Sequence, residues 1–565
     1  MIKYLKKNLL MIIASFISLL TALMFLAYRP CWSGISKALG AEKNPSFFVM
    51  NVGLIFTIFA FLAFIFSFLM LFLNKKEKKW PWITSFSLDL FFIIILLVIY
   101  FLGANDYFYF IFPNFLKSLC ISLVFILFLL ILFFNVESKI VKILISTVAL
   151  VFTIVLGFDI KINYFTFDSV IYAVEDEYQI VYSTNDKSIA WVEVGGEKYY
   201  DLYAGSMKSN DKVHKIIVPQ EKLDTVKEYT IYAQKMIYRG PFGGYKGKII
   251  SIKHTFTPVD ITDGINYLAL SDVHEAFNPA VKVSEYDKTI DFLVIVGDIT
   301  SCVDSEFYAN ATNHISSRIT KGEKPVVYAR GNHECKGEYS ETLYKYVGSK
   351  NQKFYYTFRL SNIYGIVLDL GEDHDDDWWE CYGTDKYDLY RDEQTLFLEE
   401  IKASHEYNLY DYTLVVCHIP IQLVNYRVNH ESYKNRWTEL LNDMNIDILL
   451  CGHQHDINLF EPGVVEPNVP IYYNTNYDPS GERYSKKGYL TDFDFLGVMV
   501  GKPGEIQAGD SNGHGSKTYI GTYINVDFVN NRQTIKFVNS KGKVVDSCNI
   551  FSTDELKSEH TYPLS

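Results

Sequence analysis

The chain runs to 565 residues, carries a formal net charge of −12 and is 49% hydrophobic and 16% aromatic. That length is far beyond one hydrophobic core, and at roughly 100 to 200 residues per domain it implies three or more units. Charge is split along it: up to Phe158 there are 13 Lys/Arg against 5 Asp/Glu, leaving 40 against 60 for the rest. A part that acidic repels nucleic-acid phosphates, which argues against a nuclease gripping long polymers and for no nucleic-acid partner.

Residues 1–160 hold five apolar segments long enough for transmembrane helices: Leu9–Ala27, Phe47–Leu73, Trp82–Leu102, Phe115–Phe134 and Ile140–Phe158. Lysines flank alternate ends: Lys3, Lys6 and Lys7 before the first, Lys75, Lys76, Lys78 and Lys79 between the second and third, Lys139 and Lys142 around the junction of the fourth and fifth. The positive-inside rule then predicts a multi-pass protein of the cell membrane, in contact with its lipids. The amino terminus is cytoplasmic and everything after Phe158 is extracellular. A cleaved signal peptide is the alternative for the first segment, but the small-residue stretch Ala38-Leu39-Gly40 lies too far beyond the apolar run. Asp89, an acid inside an apolar stretch, reads as facing the interface or another helix.

Residues 164–258 change to short alternating strands, EYQIVYSTN, SIAWVEVGG, EKYYDLYAG, HKIIVPQE, KEYTIYAQKMIY and KIISIKHTF, parted by turn signals at the spacing of a β-sandwich. The stretch LDTVKEYTIYA looks like the tyrosine-corner region of fibronectin III-like domains, with Tyr229 as the corner residue.

Residues 260–565 read as α/β. Six apolar strands, in NYLALSDVH, DFLVIVGD, PVVYARGNHE, YGIVLDLGED, TLVVCHIP and DILLCGHQH, end in metal-binding residue types, and helices such as DEQTLFLEEIKASHE and NRWTELLNDMN alternate with them. In the second helix Trp437, Leu440, Leu441 and Met444 make the stripe of a helix packed on a sheet. YIGTYINVDF and RQTIKFVN flank Val529-Asn530-Asn531 as a closing hairpin. The strand ends offer Asp272, His274, Asp298, Asn332, His418, His453 and His455. That mix of carboxylate, amide and imidazole suits two divalent ions close together, with a carboxylate able to bridge them.

In order, SDVHE, VGDIT, RGNHE, VCHIP and CGHQH resemble the motifs of the calcineurin-like metallophosphoesterase superfamily. The resemblance implies a four-layer α/β sandwich and a metal-dependent phosphoric ester hydrolase with two metal ions. Asp272, His274 and His455 would hold one metal, Asn332, His418 and His453 the other, and Asp298 would bridge. His333 is similar to the family's non-ligand histidine, which contacts phosphate and protonates the leaving group, while a metal-bridging hydroxide attacks in line. The preceding β-sandwich and the segments VLDLGEDHDDDWWE and YRDEQTLFLEE resemble the purple acid phosphatase-like branch in bacteria. True purple enzymes carry a tyrosine three residues after the bridging aspartate; here Ser301 stands there, so Mn, Zn or ferrous Fe fit better than a purple Fe(III) pair.

The acidic run Glu372–Asp377 beside Trp378 and Trp379 reads as a solvated loop more than a substrate lid, with His374 and, less strongly, His514 as substrate contacts. Cys417 and Cys451 read as buried thiols, and Cys302, Cys335, Cys381 and Cys548 form no disulfide framework. Asn310 with Thr312 is a glycosylation sequon. Substrates near a bilayer would be phosphorylated small molecules, lipid-linked phosphates or wall polymers. The rival readings are a hydrolase of lipid-linked phosphate or diphosphate headgroups and a non-catalytic receptor or scaffold on the same fold.

Overall fold

The computed structural model describes residues 2–27, 58–67, 80–103, 163–239, 244–372, 376, 383–421, 431–460, 462, 493–503, 517–545 and 559–565. It divides into two compact units, Met1–Ile162 and Asn163–Ser565.

In the first unit, helices span Ile2–Ala27 and Trp80–Gly103, with a helical stretch over 58–67. They cover the first and third expected segments and part of the second; the fourth and fifth lie outside the described residues. Among the described residues, no helix is long and apolar enough to cross a membrane. Asp89 is 2% exposed and accepts a hydrogen bond from the Ser18 hydroxyl, which lies 3.3 Å from that of Ser67. It faces other helices.

The second unit is built on two large sheets packed as a sandwich, beside a two-stranded ribbon of Leu202–Tyr203 and Met207–Lys208. In one, Ile265–Leu270, Phe292–Val296 and Pro325–Ala329 run parallel at the centre, and the hairpin of Tyr519–Asp527 and Arg532–Asn539 closes one side. In the other, Ile363–Leu368, Tyr412–Cys417, Ile448–Cys451 and Leu496–Val500 run parallel between antiparallel edges. The central strands are buried throughout, as near-continuous apolar runs of parallel sheets require. Trp437, Leu440, Leu441 and Met444 pack with Leu398 and Ile401 onto Ile366, Val415 and Leu449, placing helices Tyr387–Ser404 and Glu431–Asn442 outside the second sheet. Between the sheets, Tyr267 and Tyr412 meet hydroxyl to hydroxyl at 3.0 Å, and the Tyr356 hydroxyl donates to the Tyr328 carbonyl at 2.6 Å. Cys417 and Cys451 are buried thiols that donate to the Ile419 and Val498 carbonyls at 3.3 and 3.5 Å.

The segment 164–258 is not a free-standing sandwich. Its strand Val170–Val174 pairs antiparallel with Glu177–Val194 and parallel with Pro325–Ala329, in register Ile171 to Pro325 and Tyr172 to Val326, so the first sheet runs on without a break. The strands expected at 177–185 and 188–196 are one, with a register shift between Ser183 and Ser188. Tyr229 is no local corner: its hydroxyl bonds Ser169 at 2.6 Å and donates to the Gly322 carbonyl at 2.7 Å, 93 residues onward. Burying that phenol needs an acceptor for its O–H, and the turn after helix Ala311–Thr320 supplies it. The sequon is spent on packing: Asn310 is buried and donates to the Glu306 carbonyl at 3.0 Å.

Candidate metal centre

The parallel strands deliver the polar residues at their carboxyl ends, where open α/β sheets place ligand sites. Asp272 and His274 follow Leu270, Asp298 follows Val296, and Asn332 and His333 follow Ala329; from the other sheet, His418 follows Cys417, and His453 and His455 follow Cys451. The turns are left-handed at Asp272 (φ 52°), His274 (41°), Glu275 (64°), Asp298 (53°), His453 (72°) and His455 (52°). Such a conformation costs a non-glycine residue on the order of 1–3 kcal/mol and persists only where the surroundings fix it, as at functional sites.

The side chains converge on Asp298. Donor atoms of Asp272, His274, Asp298 and His455 lie within 4.8 Å of one another, as do those of Asp298, His418 and His453. From Asp298 Oδ2 it is 3.6 Å to His274 Nε2, 3.1 Å to His418 Nε2 and 3.9 Å to His333 Nε2; His455 Nε2 is 3.5 Å from Asp272 Oδ1. Asn332 joins the second group, its Oδ1 3.1 Å from His453 Nδ1. All seven residues expected from the sequence are brought together.

This donor set fits two divalent ions. Asp272 Oδ1 is buried without a hydrogen bond, and the buried Asp298 Oδ2 and His418 Nε2 face each other as an ion pair at 3.1 Å; a cation would complete all three. His418 Nδ1 is held by the Val296 carbonyl at 2.5 Å. A carbonyl only accepts, so Nδ1 carries a proton and Nε2 is the nitrogen turned inward, able to ligate once its own proton leaves. Without a cation, burial would lower the His418 pKa, but the Asp298 carboxylate outweighs it and raises it to about 10. Burial would likewise raise Asp298, yet the imidazoles of His418 and His333 hold it well below the carboxylate range. For Asp272 burial wins and the pKa rises.

Two acidic residues behind the centre have roles the sequence reading did not assign. Glu334, last in RGNHE and buried, accepts backbone N–H bonds from Asp298 (2.8 Å), Ile299 (2.7 Å) and Gly331 (3.0 Å), so it ties the Asp298 loop to the Asn332 loop. Glu372 is also buried rather than part of a solvated loop. It accepts from Asn332 Nδ2 at 3.2 Å and pairs with Lys336 at 3.0 Å, while Arg391 donates to its carbonyl. With its amide nitrogen held there, Asn332 must turn its oxygen to the centre. The signal available was position: Glu372 ends an apolar strand run, as the other site residues do. His374 and His514 lie outside the described residues. His333 is placed with its backbone N–H donating to Asp298 Oδ1 at 3.0 Å.

Residues 265–456 match the family described as calcineurin-like phosphoesterase. Among solved structures, the chain is similar to a purple acid phosphatase from yellow lupin (Lupinus luteus) seeds at 12% identity and TM-score 0.41, covering 70% of this chain and 74% of that one. It is similar to PhoD at 9% identity and TM-score 0.38, covering 70% and 90%. It is also similar to a dimetal phosphatase from Danio rerio at 11% identity and TM-score 0.33, covering 54% and 100%. No curated protein matches the chain. The matched residues enclose every side chain of the metal centre, so the chain carries a calcineurin-like phosphoesterase domain and is a metal-dependent phosphoesterase.

Proposed function

We propose that this protein hydrolyses phosphomonoesters or phosphodiesters with two divalent ions, one held by Asp272, His274 and His455, the other by Asn332, His418 and His453, with Asp298 shared. The observation that carries this reading is that Asp298 belongs to both donor groups and turns a buried oxygen toward them, within 3.9 Å of the His274, His418 and His333 Nε2 atoms. When bound, such ions lower the pKa of a water and offset charge building on phosphoryl oxygens. The ion pair would be Mn, Zn or Fe.

The remaining chemistry falls to the chain itself. His333 Nδ1 donates to the Ser301 carbonyl at 2.9 Å, which leaves Nε2 facing the centre. In its protonated form that nitrogen donates a proton to the departing alkoxide or phenoxide oxygen, opposite the side of attack. Glu334 and Glu372 keep Asp298 and Asn332 from reorienting.

On localisation, we read residues 1–160 as a multi-pass anchor that leaves the phosphoesterase outside the cell, where lipid-linked, polymeric or small phosphates are within reach. The support is the Lys distribution and the apolar segments of the sequence. Protease protection of a carboxyl-terminal tag in intact cells would refute it. We read residues 164–258 as fibronectin III-like on the strand spacing and the LDTVKEYTIYA stretch of the sequence.

The test measures metal content and turnover of a chromogenic monoester and diester on the full chain. We expect about two ions in the wild type. Asn332→Ala should lose metal and activity together, whereas His333→Ala should keep its metal and slow by roughly 10² to 10⁴. A metal-loaded wild type inert on both esters would favour the non-catalytic scaffold, and loss of metal from His333→Ala would overturn its assigned role.

A further inference from the structure

We propose that Glu275 and Ser301 form a buttress that aims His333 at the leaving group, making Glu275 a positioning residue that acts on the reaction through Ser301. The proposal rests on reading His333 as the proton donor.

The geometry starts from Ser301, buried at 4% exposure. Its carbonyl receives the His333 Nδ1–H at 2.9 Å and so determines which ring nitrogen faces Asp298. A carbonyl can fix an imidazole only if its own peptide plane is fixed. Glu275 does this with both carboxylate oxygens: Oε1 accepts the Ser301 backbone N–H at 2.8 Å and Oε2 accepts the Ser301 hydroxyl at 2.9 Å. Two bonds to one rigid carboxylate close a ring through Ser301 and remove its freedom to rotate.

The same hydroxyl has a second use. Its proton is committed to Glu275, so the oxygen presents a lone pair to His274 Nδ1, 3.3 Å away. His274 then donates from Nδ1 and turns Nε2 toward Asp298. One residue thus sets the tautomer of a candidate ligand through its hydroxyl and of the proton donor through its backbone carbonyl. Glu275 itself is locked: its φ is 64° and its backbone N–H donates to the Ile299 carbonyl at 3.2 Å. A residue serving only to finish the turn needs no carboxylate. Here both oxygens are spent on Ser301.

The readout that separates positioning from plain structure is leaving-group dependence. A nitrophenolate departs without a proton, whereas an alkoxide does not, so misaiming His333 penalises alkyl esters selectively. The experiment uses the full chain with its metal. Wild type, Glu275→Gln, Ser301→Ala, Ser301→Thr and His333→Ala are assayed on nitrophenyl, phenyl and alkyl esters of whichever phosphoester class the wild type turns over, with metal content measured on each.

With each variant loaded at saturating metal, we expect Glu275→Gln and Ser301→Ala to lose roughly tenfold or more on the alkyl ester and only a few-fold on the nitrophenyl ester, Ser301→Ala also needing more metal to load because its hydroxyl no longer orients His274. Ser301→Thr keeps the hydroxyl and should return to within a few-fold of wild type, which also guards against misfolding as the cause. Equal losses across leaving groups, or losses that track metal content, would make Glu275 merely structural and overturn the proposal. If wild type and His333→Ala respond alike to leaving group, the reading of His333 fails first and takes the proposal with it.

Discussion

Gly331→Ala tests whether the bridging carboxylate must sit where the structure puts it. A Cβ added at Gly331 would lie 2.1 Å from Asp298 Oδ1 and 2.4 Å from the Asp298 backbone nitrogen. Contacts below 3.0 Å are essentially never seen, so the carboxylate or the loop must move by about 0.9 Å, while metal–ligand distances tolerate only about 0.2 Å. The Asp298 nitrogen cannot yield easily, because Glu334 holds it together with Gly331. The clash therefore falls on Asp298, the residue common to both donor groups. We expect Gly331→Ala to lose at least one ion per chain and to fall by roughly 10² or more in kcat/KM, about 2.7 kcal/mol, with overpacking costing ~1–3 kcal/mol of stability. Metal analysis beside ester turnover and thermal unfolding measures all three. A variant with full metal content and wild-type kcat/KM would refute the placement of Asp298 between the two groups.

Glu372→Ala should release the Asn332 amide and strand Lys336, weakening one metal site by roughly 10- to 100-fold. Glu372→Gln, which keeps an acceptor, should recover part of this in a metal titration. Metal binding should also expel a proton. In the metal-free protein His418 is raised from 6.5 to about 10, so the stability it contributes is full below 6.5 and is lost as pH rises through about 10. Affinity should therefore tighten with rising pH up to that point. Calorimetry at pH 8 in two buffers of different ionisation enthalpy should give different heats, and equal heats would refute it. Tyr229→Phe should destabilise by ~1–3 kcal/mol in chemical unfolding by leaving the Gly322 carbonyl without its buried donor, with little change in turnover once folded.

The site residues were legible because each ends a run of strand-forming apolar residues, a pattern set by the backbone and visible in one dimension. Glu334 and Glu372 were not assigned because their partners are backbone N–H groups and an amide brought near by folding, and an acid beside other acids, such as Glu372 before Asp373, reads as solvated. The parallel pairing of Val170–Val174 with Pro325–Ala329 was illegible for the same reason, since a pairing across more than 150 residues leaves no periodic trace in either strand. Tyr229 was singled out as a corner residue; its acceptor on Gly322 could not be, because alternation along a strand reports which face is covered and not by what.

The seamless first sheet carries a practical consequence for anyone cutting this protein. A fragment starting at residue 260 would strip Val170–Val174 from Pro325–Ala329 and bare a row of unsatisfied main-chain groups, a template for sticking to another copy. That naked border would sit on the very strand that launches Asn332 and His333, so trimming for convenience would loosen the half of the centre it was meant to isolate. The severable joint lies near residue 163.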